Sequence, residues 1–225
     1  MMNKKIYNRL NGMLPCSNEE LSEEFGCTID QTNMSVNELA QHIDDLIMHK
    51  YFSEIWQPRL KKFKYSGLKL IDDVNNLKPR AVLDVGCGYN EFKGKIENLI
   101  YCIFFYSNLI GIDPYNKHAD IQVGILEYTT TEKFDVMLCL GSINFGDDVK
   151  IEKETKKCAE LLAPGGKMFF RVNPGIQHDN KESQYIEFYP WNVYNITELA
   201  KKLNLAVLDL RHDWNDRIYF VLAKS

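Results

Sequence analysis

The run Ala81-Val82-Leu83-Asp84-Val85-Gly86-Cys87-Gly88-Tyr89-Asn90 constrains this chain more than any other stretch. A short apolar strand leads straight into a Gly-x-Gly turn, as strands do when a sheet hands its chain to a ligand-binding loop. The glycines permit a tight turn and let the backbone come close to whatever is bound. Asp84 adds a discriminating charge. Where a pyrophosphate lies over such a turn, a carboxylate two residues before the first glycine faces it unfavourably, whereas a cationic ligand is attracted.

Length and charge narrow the classes open to the chain. Its 225 residues suit one α/β domain plus an extension, with room for a sizeable core. A net charge of −4 provides no global basic field and weighs against tight, non-specific nucleic-acid binding. The six cysteines (Cys16, Cys27, Cys87, Cys102, Cys139 and Cys158) form no C-x-x-C pair, so they read as free thiols of a reducing compartment. Met1 to Leu10 lacks the apolar centre of a signal peptide, and the longest apolar run, Leu99 to Tyr106, is too short to span a bilayer. These features predict a cytoplasmic protein without membrane association.

Two regions differ along the chain. Residues 1–78 read as helical: Ser35-Val36-Asn37-Glu38 is a capping box, followed by Leu39, Ile43, Leu46 and Ile47 at helical spacing. Arg59 to Lys69 then carries five basic residues and no acid, interleaved with Phe63 and Tyr65. This stretch reads first as a solvated helix face balancing the acidic region before it, and second as a phosphate or carboxylate grip, which leaves nucleic acid open as a partner. From Arg80 strands and helices alternate, which predicts a parallel sheet covered on both faces. Strands are expected at Ala81 to Val85, Leu109 to Asp113, Ile121 to Gly124, Phe134 to Leu140 and Lys167 to Val172. The helix Ile151 to Leu162 gathers Ile151, Thr155, Cys158, Leu161 and Leu162 on one face, and Pro164-Gly165 turns the chain into the fifth strand. Asn195-Ile196-Thr197-Glu198 opens a helix through Leu203, and Leu205 to Leu210 with Arg217 to Leu222 closes the chain as a hairpin. Glu91 to Tyr106 is expected to hold the first crossover helix, whole or shortened by an insertion. The expected fold is α/β, a Rossmann-like seven-stranded and mostly parallel sheet. It ends in an antiparallel hairpin strand and carries a helical N-terminal extension or lid (1–78) ahead of a ligand-binding domain (79–225).

Asp113 ends the second expected strand, where an acid can accept hydrogen bonds from both hydroxyls of a ribose. S-adenosylmethionine adds a sulfonium and an ammonium to its adenosine, so Asp84 fits it better than NAD, whereas Asp113 suits the ribose of either.

The first run also resembles the opening motif of class I S-adenosylmethionine-dependent methyltransferases, acid-x-Gly-x-Gly at the end of the first strand. The likeness continues at Phe134-Asp135-Val136-Met137-Leu138-Cys139-Leu140-Gly141 and at Leu161-Leu162-Ala163-Pro164-Gly165-Gly166-Lys167, in the family's order. The resemblance implies that Asp84, Gly86, Cys87 and Gly88 lie along the methionine portion of the cofactor, with Asp113 on the ribose. It also implies that Leu140 and Gly141 line the reactive centre. In the adenine segment, Gly124-Ile125-Leu126-Glu127, isoleucine stands where the family most often has an acid. Either Glu127 takes that role, or backbone groups beside Ile125 and Leu126 do. Asn90 stands in place of the motif's third glycine.

Methyl transfer asks mainly for alignment and exclusion of water, with a base only when the acceptor must lose a proton. His178 is the candidate base, Arg171 a candidate holder of an anionic acceptor group, and Asn144 and Asn173 candidates to orient it. Each also reads as a turn or capping residue. The segment after the fourth strand is not the Asp/Asn-Pro-Pro-Tyr/Phe motif of DNA amino-methyltransferases. Asp147 and Asp148 read as helix-start acids, so no metal is expected. The reading is therefore a methyltransferase for an unidentified acceptor, a small molecule first. An NAD-dependent oxidoreductase and a non-catalytic cofactor-binding protein on the same fold are the alternatives.

Overall fold

The computed structural model describes residues 3–30, 33–60, 70–96, 108–178 and 183–224. The side chains of Arg59 to Lys69 and the run Leu99 to Tyr106 lie outside them, as does the later part of the expected crossover helix.

Three helices come first: α1 (Lys4–Met13), α2 (Asn18–Phe25) and α3 (Val36–Lys50). Each has a side-chain cap. Asn3 accepts from Lys5 N and Ile6 N, while Ser17 with Glu20 and Ser35 with Glu38 form reciprocal capping boxes, the second as expected. The apolar stripe of α3 buries Leu39, Ile43 and Ile47 against Ile6 and Leu10 of α1 and Leu21 and Phe25 of α2. A π-helical turn (Tyr51–Trp56) and the short α4 (Gln57–Leu60) follow. Helix α5 (Leu70–Asn76) then leads to the sheet.

Among the described residues the sheet has six strands: β1 (Ala81–Val85), β2 (Asn108–Ile112), β3 (Phe134–Leu140), β4 (Leu162–Val172), β5 (Leu205–Asp213) and β6 (Arg217–Lys224). Their spatial order is β2-β1-β3-β4-β6-β5, with β6 antiparallel to both neighbours. The inserted antiparallel strand matches the expected closing hairpin. Its connection turns through Asn215 and Asp216, both at positive φ, where Asn and Asp are tolerated best. The central strands are buried on both faces. Leu83, Val85, Met137 and Cys139 pack with helices α6 (Asp148–Leu161) and α7 (Val193–Lys202), while Val82, Val136 and Leu138 pack under Leu70 and Val74 of α5.

Three expectations are corrected. Ile121 to Gly124 is not a seventh strand: it meets β2 only through the bridge Ile112–Ile121. The outer edge of β2 is occupied by Asp120, whose carboxylate accepts from Gly111 N at 2.8 Å and whose own N–H reaches Gly111 O. Ile121 is also exposed, so pairing there would bury little. Strand β4 begins at Leu162 rather than Lys167, and Pro164-Gly165 forms a bulge within it, where the register jumps from Phe134–Leu162 to Val136–Lys167. Helix α7 starts earlier than its apparent capping box, because Asn192 is the cap and accepts from Asn195 N.

The segment 183–190 straps the N-terminal helices to the sheet. Asn3 Nδ2 donates to Tyr185 O at 2.7 Å, Lys5 Nζ to Ile186 O at 3.1 Å, and Ile186 is fully buried in the N-terminal core. On the other side, Gly146 N donates to Glu187 O and Tyr189 N to Asn144 O. Five cysteines are described, and all are free. Among the described residues no helix is long and apolar enough to cross a membrane, and no group of three or more potential ligands is gathered as a metal would require.

Candidate functional site

The carboxyl ends of β1, β2, β3 and β4 open on one cleft of about 420 Å³. Strand β1 lies between β2 and β3, so the topology reverses at this point, where crevices form in such sheets.

Asp84 lies at the floor. It is 2% exposed, and its Oδ2 has no hydrogen-bond partner among the described residues. Burial, and then the charge of Asp113, push its carboxyl up to about 7. The turn that follows is wired internally. Gly86 N and Cys87 N donate to Ile112 O at 2.8 and 3.0 Å, and Gly88 N donates to Asp113 Oδ2 at 3.0 Å. Asp113 Oδ1 accepts from Tyr115 N and Asn116 N, so the acid both shapes the turn after β2 and keeps acceptor capacity on Oδ2. Burial and the neighbouring acids raise the Cys87 thiol, leaving it an inert packing group.

Close approach explains the glycines. Gly86 has φ +68, and a Cβ there would sit 2.4 Å from Ser142 Cβ; Gly88 has φ +56 and is covered by the carboxamide of Gln57. Asn90, in place of a third glycine, also takes a positive φ of 57. Its Nδ2 donates to Asp120 Oδ2 at 3.2 Å, and its Oδ1 lies against Gly111, where a Cβ would be 2.5 Å away. We expect Gly86→Ala to lower stability by about 2–5 kcal/mol through left-handed strain plus overpacking. Gly165→Ala, at φ +72 with nothing within 4 Å, should show the strain alone. Equal shifts of the urea midpoint in the two variants would refute the close approach.

The remaining candidates line the same cleft to different extents. Leu140, Gly141 and Ile125 face it, whereas Leu126 and Glu127 do not. Leu126 is exposed, and the Glu127 carboxylate lies over Gly124. Asn144 and Asn173 are buried in its lining, and each has side-chain atoms bonded to the scaffold. Asn144 Oδ1 accepts from Asn173 N, and the Asn173 amide both donates to and accepts from Ile176. Arg171 is held by Asp213 at 2.5 Å and by Trp214 O at 2.8 Å. His178 Nδ1 is hydrogen-bonded to Tyr51 OH, and its ring stacks on Trp56 at 4.2 Å and 21°.

These contacts belong to a wall of rings. Phe52 meets Tyr115 and Phe145, Phe145 meets Phe188, and Phe188 meets His178 at 4.6 Å. Tyr51, Phe52 and Trp56 of this wall come from the π-helical turn, so the N-terminal region completes the cleft. The aromatics Tyr51, Phe52 and Trp56 are visible in the sequence, but their partners are not. Gln57 carries no sequence signal at all, since a lone glutamine becomes informative only once it is found over Gly88.

The arrangement suits a ligand bearing positive charge. At the Gly86–Gly88 turn the backbone donors are already satisfied, and residues 89–96 form turns rather than a helix N-terminus. Among the described residues no anion cradle forms there, while the Asp84 carboxylate has an oxygen without a hydrogen-bond partner.

No family model matches the chain. Among curated proteins it is 28% identical over 160 residues to the ubiquinone biosynthesis O-methyltransferase of Coxiella burnetii, covering 64% of each chain. The chain thus spans just under two thirds of the length of the curated relatives it matches. Among solved structures it resembles 1,6-didemethyltoxoflavin-N1-methyltransferase of Burkholderia thailandensis with bound 1,6-didemethyltoxoflavin and S-adenosylhomocysteine. The TM-score is 0.62 and the identity 12%, over 88% of this chain and 93% of that one. It also resembles the magnesium protoporphyrin IX methyltransferase of Synechocystis with bound S-adenosylmethionine. There the TM-score is 0.58 and the identity 11%, over 81% and 97% of the two chains. Strand order, motif order and these likenesses together identify the chain as having the class I S-adenosylmethionine-dependent methyltransferase fold.

Proposed function

We propose that the protein is a cytoplasmic S-adenosylmethionine-dependent methyltransferase acting on a small molecule, with residues 1–78 serving as a lid on the catalytic domain 79–225. One observation carries the reading: the buried, unpartnered carboxylate of Asp84 beside a turn that offers no anion site. That combination fits the ammonium of the cofactor's amino-acid end and disfavours a pyrophosphate. The residues present fit the cofactor: Asp84 and Gln57 at its amino-acid end, Asp113 at the ribose, and Leu140 and Gly141 beside its centre. The free thiols suit a reducing cytoplasm.

When bound, the sulfonium supplies an activated methyl group, so the protein's part is to position the acceptor and to handle its proton. The ring wall holds a flat, unsaturated acceptor by stacking and excludes water. His178 takes the acceptor's proton. Its Nδ1 is hydrogen-bonded to Tyr51 OH, which helps to fix the orientation of the ring. The curated relatives are named as O-methyltransferases, which supports a hydroxyl as the accepting group.

S-adenosylhomocysteine at about 100 times its Kd should raise the melting temperature by about 5–10 °C, the equivalent of about 2.7 kcal/mol. NADH should produce no shift. Stabilisation by NADH alone would overturn the methyltransferase reading. A methyl-release assay over a panel of phenols and other metabolites then identifies the acceptor, and tight binding without turnover on any of them would favour a non-catalytic role.

A further inference from the structure

We infer that Glu154, from helix α6, supplies the carboxylate that recognises the exocyclic amine of the adenine ring. The inference rests on the cofactor reading above and extends it to a residue that no sequence motif marks.

The cleft has a direction. Asp84 closes β1 and Asp113 closes β2, and the chain beyond Asp113 returns to that strand end through Asp113 N to Ile121 O. A nucleoside whose ribose meets Asp113 therefore carries its base onward to the next loop, where Val123, Gly124 and Ile125 line the cleft. Val123 and Ile125 offer apolar cover for the faces of a flat ring. This loop offers no acceptor side chain for the ring's edge, because Glu127 folds back over Gly124 and stays out of the cleft.

The acceptor comes from across the cleft. Lys150 and Glu154 lie one helical turn apart on α6 and both face inward. Glu154 is half-buried and makes no hydrogen bond among the described residues. It lies near Tyr115, Glu127 and Lys150, the groups with which it interacts electrostatically. Burial pushes its carboxyl up to about 7, with Lys150 opposing and Glu127 reinforcing the rise. An acid kept half-buried without a protein partner is matched by a ligand edge that donates. Adenine presents an N6 amino group there, whereas hypoxanthine presents a carbonyl oxygen that the carboxylate repels.

The test compares S-adenosylhomocysteine with S-inosylhomocysteine by isothermal titration at pH 8, where Glu154 is largely ionised. Wild type should favour the adenine compound by roughly 10- to 100-fold, the range of a hydrogen bond to a charged group. Glu154→Gln, which can donate to the hypoxanthine oxygen, should narrow the ratio to about threefold or less while remaining folded by thermal melt. Glu154→Ala should weaken the adenine compound alone, by about tenfold. The assignment is overturned if Glu154→Gln keeps the wild-type ratio, or if Glu127→Gln is the variant that collapses it. Binding of neither compound to wild type would instead overturn the cofactor reading itself, and this inference with it.

Discussion

Asp84→Asn is expected to make the ligand-free protein more stable while removing most of its affinity for S-adenosylhomocysteine. The two effects have one origin. Asp84 is buried without a partner, and its carboxyl lies near 7 rather than in the ordinary carboxylate range. Its folded-state value is raised, so the native protein holds a proton that the unfolded chain releases. Stability therefore falls as pH climbs from about 4 to about 7 and stays reduced above that window. A shift of this size corresponds to about 4 kcal/mol at most, and Asn carries a desolvation cost of its own, so a gain of about 1–3 kcal/mol is expected at pH 8. At about 2–4 °C per kcal/mol this is readable in a melting curve, and it should shrink at pH 5. Affinity should fall on the order of 100-fold, as when one member of a buried charge pair is neutralised. A variant that loses stability and keeps affinity would remove Asp84 from the binding site and make it a scaffold residue.

The second large effect concerns His178. Its replacement by alanine should lower kcat by about 100- to 10,000-fold, the contribution of a general base, with S-adenosylhomocysteine affinity held within about threefold. Tyr51→Phe should produce a smaller loss, about tenfold. Because Tyr51 acts through the imidazole, its removal should lower kcat with little change in KM, and should cause no further loss in the His178→Ala background. Wild-type turnover in His178→Ala, measured on whichever acceptor the methyl-release panel identifies, would show that the acceptor reacts without this base.

The parts of the molecule that were legible in the sequence are those fixed by neighbouring residues. Strand β1, its Gly-x-Gly turn and the acid ending β2 are local patterns, and so is the capping box at Ser35. The antiparallel hairpin of β5 and β6 followed from two apolar runs and the turn between them. What escaped was decided by side-chain contacts that no local pattern marks. The apolar run at Ile121 looks like a strand, but the Asp120 side chain occupies the ladder position it needed. Asn90 looks like a lost glycine and in fact supplies the same left-handed geometry, with an added tie to Asp120. Arg171 and Asn173 look like ligand-binding groups at strand ends, yet Asp213, Trp214 and Ile176 engage their polar atoms. Tyr51 and His178 are 127 residues apart, and no local pattern announces their hydrogen bond.

The strap formed by residues 183–190 joins the N-terminal helices to the ring wall. One edge of it is threaded into the N-terminal helices through Tyr185 and Ile186, and the other sets Phe188 into the ring wall. The N-terminal helices cannot be exchanged for those of another protein as a module, because Ile186 would lose its socket and Phe188 its bearing. The shape of the ring wall is thus set jointly by two segments far apart in the chain, and any redesign of that wall has to rewrite both at once.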